Sequence, residues 1–203
     1  MRKIVILCIA SVFLMSCVGI DSTMTVKEDG SGTLLLNYRV SQLVADLGAT
    51  TSEKGIVPLP LARVDFERSL QAAQSKVRLT RFERTENEKD ISIRAELSFD
   101  SIEALAKVDA FHDAELKLGT DGRRHTFSQL IAHAPAQPVT DDSLRMIDAF
   151  FDGYGLTFVI EAPQPIQQFT LGTLSSDKRV LTYTTSIKDL VRTRSDLVLS
   201  AGW

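Results

Sequence analysis

Residues 91–99 read Ile-Ser-Ile-Arg-Ala-Glu-Leu-Ser-Phe, so Ile91, Ile93, Ala95, Leu97 and Phe99 alternate with Ser92, Arg94, Glu96 and Ser98. Successive side chains of a strand point to opposite faces, and this alternation predicts one buried face and one wet face. A slip of one residue would turn every apolar side chain to water, so the register of this strand is strongly specified. Immediately after it, Asp100 and Glu103 have the spacing of a capping box and predict a helix presenting Ile102, Leu105 and Ala106. Immediately before it, Val77 to Thr85 predicts a partner strand, with Asn87-Glu88-Lys89-Asp90 in the turn. Further upstream, Asp65 offers an N-cap to a helix whose Phe66, Leu70, Ala73 and Val77 fall on one stripe.

The same patterns extend to both ends. Met24 and Val26, the turn Asp29-Gly30-Ser31-Gly32, and then Leu34, Leu36, Tyr38 and Val40 predict a β-hairpin. Ser41 caps a short helix ending at Gly48, and a loop follows from Ala49 to Pro60. Downstream, Ala114, Leu116 and Leu118 alternate, Asp121-Gly122 turns the chain, and Thr126 to Ala132 returns as a second hairpin. A helix capped near Thr140 carries Leu144, Ile147, Phe150 and Phe151 and ends at Gly153. Strands are then expected over 156–161, 166–171 and 179–185, a helical turn over 186–191, and a last strand over 196–200. Tight hairpins without strict βαβ alternation predict an α+β fold: a mainly antiparallel twisted sheet of several hairpins, with about four helices packed on one face. Residues 17–203 are read as a single domain.

The composition suits a packed core. Of 203 residues, 44% are hydrophobic, which excludes general disorder. A formal charge of -3 with 7% aromatics argues against a nucleic-acid groove, which would need a basic excess. Cys8 and Cys17 are the only cysteines, so there is no disulfide framework.

The amino terminus carries the clearest functional signal. Arg2 and Lys3 precede the uncharged run Ile4 to Leu14, and Met15-Ser16-Cys17 follows, which is the layout of an export signal. The run is short for a spanning helix, which needs about 20 apolar residues. Leu14-Met15-Ser16-Cys17 resembles the lipobox of bacterial lipoproteins. That resemblance implies removal of residues 1–16 by a type II signal peptidase, with the cut between Ser16 and Cys17. It also implies a diacylglycerol on the Cys17 thiol and an acyl chain such as palmitate on the new amino terminus. An uncleaved signal anchor and ordinary secretion are the other readings. Loss of Arg2 and Lys3 would take the charge from -3 to -5. An acidic body gains nothing from an anionic bilayer, so buried acyl chains would have to hold it. The expected location is the bacterial cell envelope, at the periplasmic or surface face of a membrane.

A second likeness spans most of the remaining chain. Cys17-Val18-Gly19-Ile20-Asp21-Ser22 with Asp29-Gly30-Ser31-Gly32, and Leu156-Thr157-Phe158-Val159-Ile160-Glu161-Ala162-Pro163 followed by Arg179-Val180-Leu181-Thr182-Tyr183, resemble LppM-type bacterial lipoprotein domains. The resemblance implies an α+β envelope module with a link to lipids and no shared catalytic residues. Many such relatives end in a transmembrane helix, whereas this sequence stops at Trp203 after a polar strand, so the lipid alone is expected to anchor it.

Chemistry-bearing residues are sparse. His125 and His133 are eight apart on an expected strand, more than about 20 Å of extended chain, so neither a metal nor a cofactor is expected. His133 with Asp141 and Asp142 reads as a solvated histidine near carboxylates that favour a helix N-terminus. Neither a G-x-S-x-G elbow nor an S-x-x-K tetrad is read, and no catalytic residue is assigned. Arg123-Arg124-His125 is either a contact for lipid phosphate or an exposed strand start. Phe66, Phe150, Phe151 and Phe158 are candidates for lining an apolar ligand pocket, or else they fill an ordinary core. Gly55 to Leu61 is an apolar loop that reads as a lid, a membrane-touching flap or a packed connection.

The expected function is therefore a lipid-anchored, non-enzymatic envelope protein that binds an apolar or lipid ligand, or an envelope partner. The alternatives are an envelope hydrolase acting through carboxylates on lipid or cell-wall material, and a structural subunit whose sheet edge pairs with another envelope protein.

Overall fold

The computed structural model describes residues 18–42, 45, 59–74, 76–122, 124–151 and 154–203. Strands β1 (Val18–Val26) and β2 (Gly32–Ser41) form the expected hairpin, with β1 beginning well upstream of Met24. Strands β3 (Val77–Glu86) and β4 (Asp90–Phe99) form the next hairpin. Strand β4 has its Ile91-to-Phe99 alternation buried and its Ser92, Arg94, Glu96 and Ser98 face turned to water.

One sheet was expected; the described strands form two. Strands β7 (Gly155–Glu161), β9 (Thr173–Leu174) and β10 (Val180–Ser186) complete a seven-stranded sheet in the order β3-β4-β2-β1-β7-β10-β9. Its pairs are antiparallel except β1 with β7, which run parallel. Strands β5 (Lys117–Asp121), β6 (Arg124–Ala132), β8 (Gln168–Phe169) and β11 (Leu197–Gly202) form a second sheet in the order β5-β6-β11-β8.

The strand expected over 166–171 shrinks to the two residues of β8 and does not pair with the strand over 179–185. Pro163 and Pro165 lack the N–H that a ladder requires, and the chain leaves the first sheet after β7. Gln167 N then donates to the Gly202 carbonyl at 2.8 Å, so β8 joins β11. Gly172, at φ +98°, returns the chain to β9 beside β10; a Cβ there would lie 2.4 Å from the Thr182 oxygen.

The helices are short, and their bounds depart from expectation for local reasons. Helix α1 (Arg63–Ser69) starts after Ala62, which places Asp65 inside the first turn rather than at the cap. It passes into a 3₁₀ turn, Gln71–Ala73, and Gln74 at φ 50° ends it, so Val77 belongs to β3. Helix α2 (Ile102–Leu105) is capped by Ser101, whose Oγ accepts the Ala104 N–H at 3.2 Å. The expected cap Asp100 still extends the β3–β4 ladder through its N–H to the Lys76 carbonyl at 2.9 Å. A 3₁₀ helix, Asp109–Ala114, replaces the start of the expected strand, and Glu115 at φ 44° ends it before β5.

Helix α3 (Asp141–Phe151) begins where expected, with Thr140 Oγ1 accepting the Ser143 N–H at 3.2 Å. Helix α4 (Ile187–Leu190) is capped by Ser186, and Lys188 pairs with Asp148 of α3. The helix expected from Ser41 to Gly48 lies largely outside the described residues.

A single buried cluster joins these parts. It includes Leu36, Tyr38, Leu97 and Phe99 from the larger sheet, Phe127 and Leu199 from the smaller, and Phe66, Leu105 and Ile147 from the helices. The larger sheet thus turns one face to the core and leaves its other face to solvent.

Candidate functional site

The hydrated face of the larger sheet carries a polar ladder built by strand register. Glu83 of β3 lies opposite Arg94 of β4, Arg94 opposite Asn37 of β2, Asn37 opposite Asp21 of β1, and Asp21 opposite Thr157 of β7. The neighbouring row runs Thr85, Ser92, Arg39 and Gly19. Facing residues on adjacent strands have Cβ atoms about 5 Å apart, so each side chain can share a ligand with its neighbour.

These rows line an open groove of about 410 Å³. Gly19 and Gly155 give it a floor without side chains at one end. A Cβ on Gly19 would meet Tyr154 Cδ1 at 3.6 Å and an Arg39 nitrogen at 3.7 Å, so ordinary contact separates this floor from its walls. The Arg39 guanidinium lies 5.4 Å from the centre of the Tyr154 ring, within cation–π range. Tyr154 in turn donates its hydroxyl to Asp90 Oδ1 at 2.6 Å. Arg39 is therefore braced from below by a ring that is itself fixed. Farther along the same face, Thr25 Oγ1 donates to Glu161 Oε2 at 2.7 Å and links β1 to β7.

Ser16 and Cys17 lie outside the described residues. In the sequence Cys17 directly precedes Val18, the first residue of β1.

The apolar candidates sit elsewhere. Phe66, Phe151 and Phe158 belong to the buried core, with Phe66 only 1% exposed, and none of the three lines the groove. The Phe150 side chain lies outside the described residues. So does Arg123, while His125 stacks on Trp203 with ring centres 6.4 Å apart and meets Thr120 Oγ1 through Nδ1 at 3.2 Å. Trp203 is itself buried. Of the apolar loop, Leu59, Pro60 and Leu61 are described: both leucines pack on the core, and the Pro60 carbonyl accepts the buried Tyr38 hydroxyl. Burial pushes the Tyr38 phenol far above its ordinary pKa, so it remains a donor.

His133 is engaged by Asp196, its Nδ1 lying 3.1 Å from Oδ2, while the other carboxylate oxygen accepts the Ala134 N–H at 2.8 Å. That backbone donor, then His133, holds the Asp196 pKa below its ordinary value. Among the described residues no group of three His, Cys, Asp or Glu is placed to hold a metal, so His133 does not combine with Asp141 and Asp142 in that way. Ser175-Ser176-Asp177-Lys178 does have the S-x-x-K spacing of some serine hydrolases, which corrects the reading that no such tetrad is present. It forms a tight turn in which Ser175 Oγ donates to Asp177 Oδ1 at 2.5 Å and Lys178 has φ 59°.

The groove residues escaped the sequence reading as a set. Arg94 and Ser92 were legible as wet positions of one strand, but their alignment with Asp21 and Arg39 depends on pairings made across the whole chain.

Among the described residues no helix is long and apolar enough to cross a membrane. No family model matches the chain. No curated protein matches it in sequence. Among solved structures it is similar to the NMR structure of the folded domain of Mycobacterium tuberculosis LppM, with a TM-score of 0.53 over 93% of this chain and 90% of that one. At 11% identity the likeness is one of fold: a mixed α+β arrangement dominated by antiparallel strands.

Proposed function

We propose that this chain is a lipid-anchored, non-enzymatic module of the bacterial envelope, which holds a ligand in the polar groove of its larger sheet. One juxtaposition supports this reading most. The lipobox-like Cys17 is followed at once by strand β1, and the groove floor begins at Gly19. A thioether-linked diacylglycerol at Cys17 would set the groove within a few residues of the bilayer surface, with no long tether between. The LppM-like fold is consistent with an envelope role. The acyl chains supply the attachment, since burial of methylene groups adds about 0.8 kcal/mol each and two or three chains hold almost irreversibly.

The apolar-ligand version of this function has less support, because Phe66, Phe151 and Phe158 are spent on the core. Pairing through the β3 edge is also disfavoured. That edge carries Arg78, Arg81, Arg84 and Glu86 and is bulged between Leu79 and Arg81, both features that resist strand addition.

The test is cell fractionation of the parent and of Cys17→Ala. The parent is expected in the membrane fraction with residues 1–16 removed, whereas Cys17→Ala is expected to retain residues 1–16 uncut. Removal of residues 1–16 from both, with equal membrane retention of the two cut chains, would defeat the lipid-anchor reading.

A further inference from the structure

We infer that the groove is a site for a phosphate group, held between Arg39 and Arg94 and supplied either as free phosphate or as a lipid headgroup. This rests on the reading of the groove as the functional site.

The charge of the groove depends on which carboxylates are already taken. Four charged side chains line it: Arg39, Arg94, Asp21 and Glu83. Glu83 lies opposite Arg94 across the β3–β4 ladder, but its Oε1 accepts Nε of Arg81 at 2.9 Å and Nη2 of Arg81 at 2.5 Å. Among the described residues Arg94 makes no ion pair, so its exposed guanidinium faces the groove uncompensated. With Glu83 held by Arg81, Asp21 alone opposes two guanidinium groups. The groove therefore carries a cationic excess and draws an anion.

Register brings the two cations within reach of one ligand. Arg39 lies opposite Ser92, two residues before Arg94 on the same face of β4. Diagonal neighbours of this kind are about 7–8 Å apart, a gap that long side chains close. Two like charges so placed repel each other, and an anion between them turns that repulsion into attraction. Asn37, Ser92 and Thr85 add neutral donors from β2, β4 and β3. Donors standing on three strands suit a tetrahedral phosphate, with oxygens on every side, better than a planar carboxylate. Contacts of guanidinium with phosphate are charge-assisted and about twice as strong as neutral hydrogen bonds.

One of the two cations is fixed in advance. Arg39 rests on the ring of Tyr154, whose hydroxyl is held by Asp90, so it loses little freedom on binding. A Cβ on Gly19 would lie 3.7 Å from an Arg39 nitrogen, so the guanidinium lies low over the bare backbone of β1. The groove volume of about 410 Å³ leaves ample room above it.

The experiment uses the full chain purified in dodecyl maltoside micelles and reads the backbone amide shifts of Gly19, Asn37 and Ser92 at constant ionic strength. Sodium phosphate is the free probe, phosphatidylglycerol doped into the micelles is the headgroup probe, and sodium acetate and glucose are the comparisons. Saturable shifts with sodium phosphate support a free ligand, and saturable shifts with phosphatidylglycerol alone support a headgroup. Arg94→Gln should weaken the binding roughly tenfold. Asp21→Asn should tighten it, because the remaining repulsive charge is gone. Arg84→Gln, whose ion pair with Glu86 lies outside the groove lining, should leave it unchanged. Acetate bound as tightly as phosphate, no saturable shift with either phosphate source, equal binding by the parent and Arg94→Gln, or weaker binding by Asp21→Asn would overturn the proposal. Shifts with glucose alone would overturn it while leaving the groove a binding site, and failure of the lipid anchor would appear in fractionation without moving these shifts.

Discussion

Gly32→Ala is the substitution that the packing tolerates least. Gly32 opens β2 and sits opposite Val26 on one side and Phe99 on the other. A Cβ built there would lie 2.0 Å from the Thr25 carbonyl oxygen and 2.6 Å from Phe99 Cζ. The first contact is with backbone and cannot be relieved by a rotamer. The second is with a ring only 2% exposed, which has no space to turn into. Overpacking in a close-packed core costs about 1–3 kcal/mol, and two simultaneous contacts place this case near 3 kcal/mol. For a chain of this size each kcal/mol moves Tm by about 2–4 °C, so a fall of roughly 6–12 °C is expected. Gly119→Ala is the matched control, because a Cβ there would meet the Thr126 carbonyl oxygen at 3.9 Å, an ordinary contact. Scanning calorimetry of both variants in the Cys17→Ala background gives the comparison. Equal melting of Gly32→Ala and Gly119→Ala would refute the β1–β2–β4 packing described above.

Other consequences are smaller. Ser101→Ala and Ser186→Ala each remove an oxygen that caps a helix N–H, and urea denaturation should show a loss of about 1 kcal/mol for each; no change in either would mean that these caps are not formed in solution. Phe158→Ala should cost about 3–5 kcal/mol by leaving a cavity between β7 and the core, and a loss below about 1 kcal/mol would place the ring at the surface instead. Asp196 clasps Ala134 and His133 with its pKa lowered, so its contribution is complete above the ordinary aspartate range and is lost as pH falls through the lowered folded value. The Ala134 amide shift should therefore titrate with a midpoint below that of an unperturbed aspartate; a midpoint at or above it would contradict the clasp.

Strand β4 could be read before folding because its pattern is two-sided: every other residue is apolar and every residue between is polar, so only one register buries the right set. The hairpins β1–β2 and β5–β6 were legible for a related reason, since their turns at Gly30 and Gly122 use positive φ and bind each strand to its neighbour in sequence. Strands β8 and β9 were not legible. Each has two residues, and each is selected by a distant partner, β11 or β10, rather than by its own pattern.

The stripe through Val77 and the Asp100–Glu103 box were misleading in one shared way. Local spacing proposed a boundary, and pairing between β3 and β4 moved it, ending the helix at Gln74 and carrying the ladder on to Asp100. The groove belongs with the second kind of feature. Its polar residues are visible singly, but the row from Glu83 to Thr157 exists only once β1 lies parallel to β7, a pairing between residues more than 130 positions apart.

Intact-mass spectrometry of the parent protein extracted from membranes tests the lipid anchor most directly. The account predicts a chain that begins at Cys17 and carries the added mass of a thioether-linked diacylglycerol and an amide-linked acyl chain. A membrane-derived chain that still contains residues 1–16, or that bears an unmodified Cys17 thiol, would contradict it.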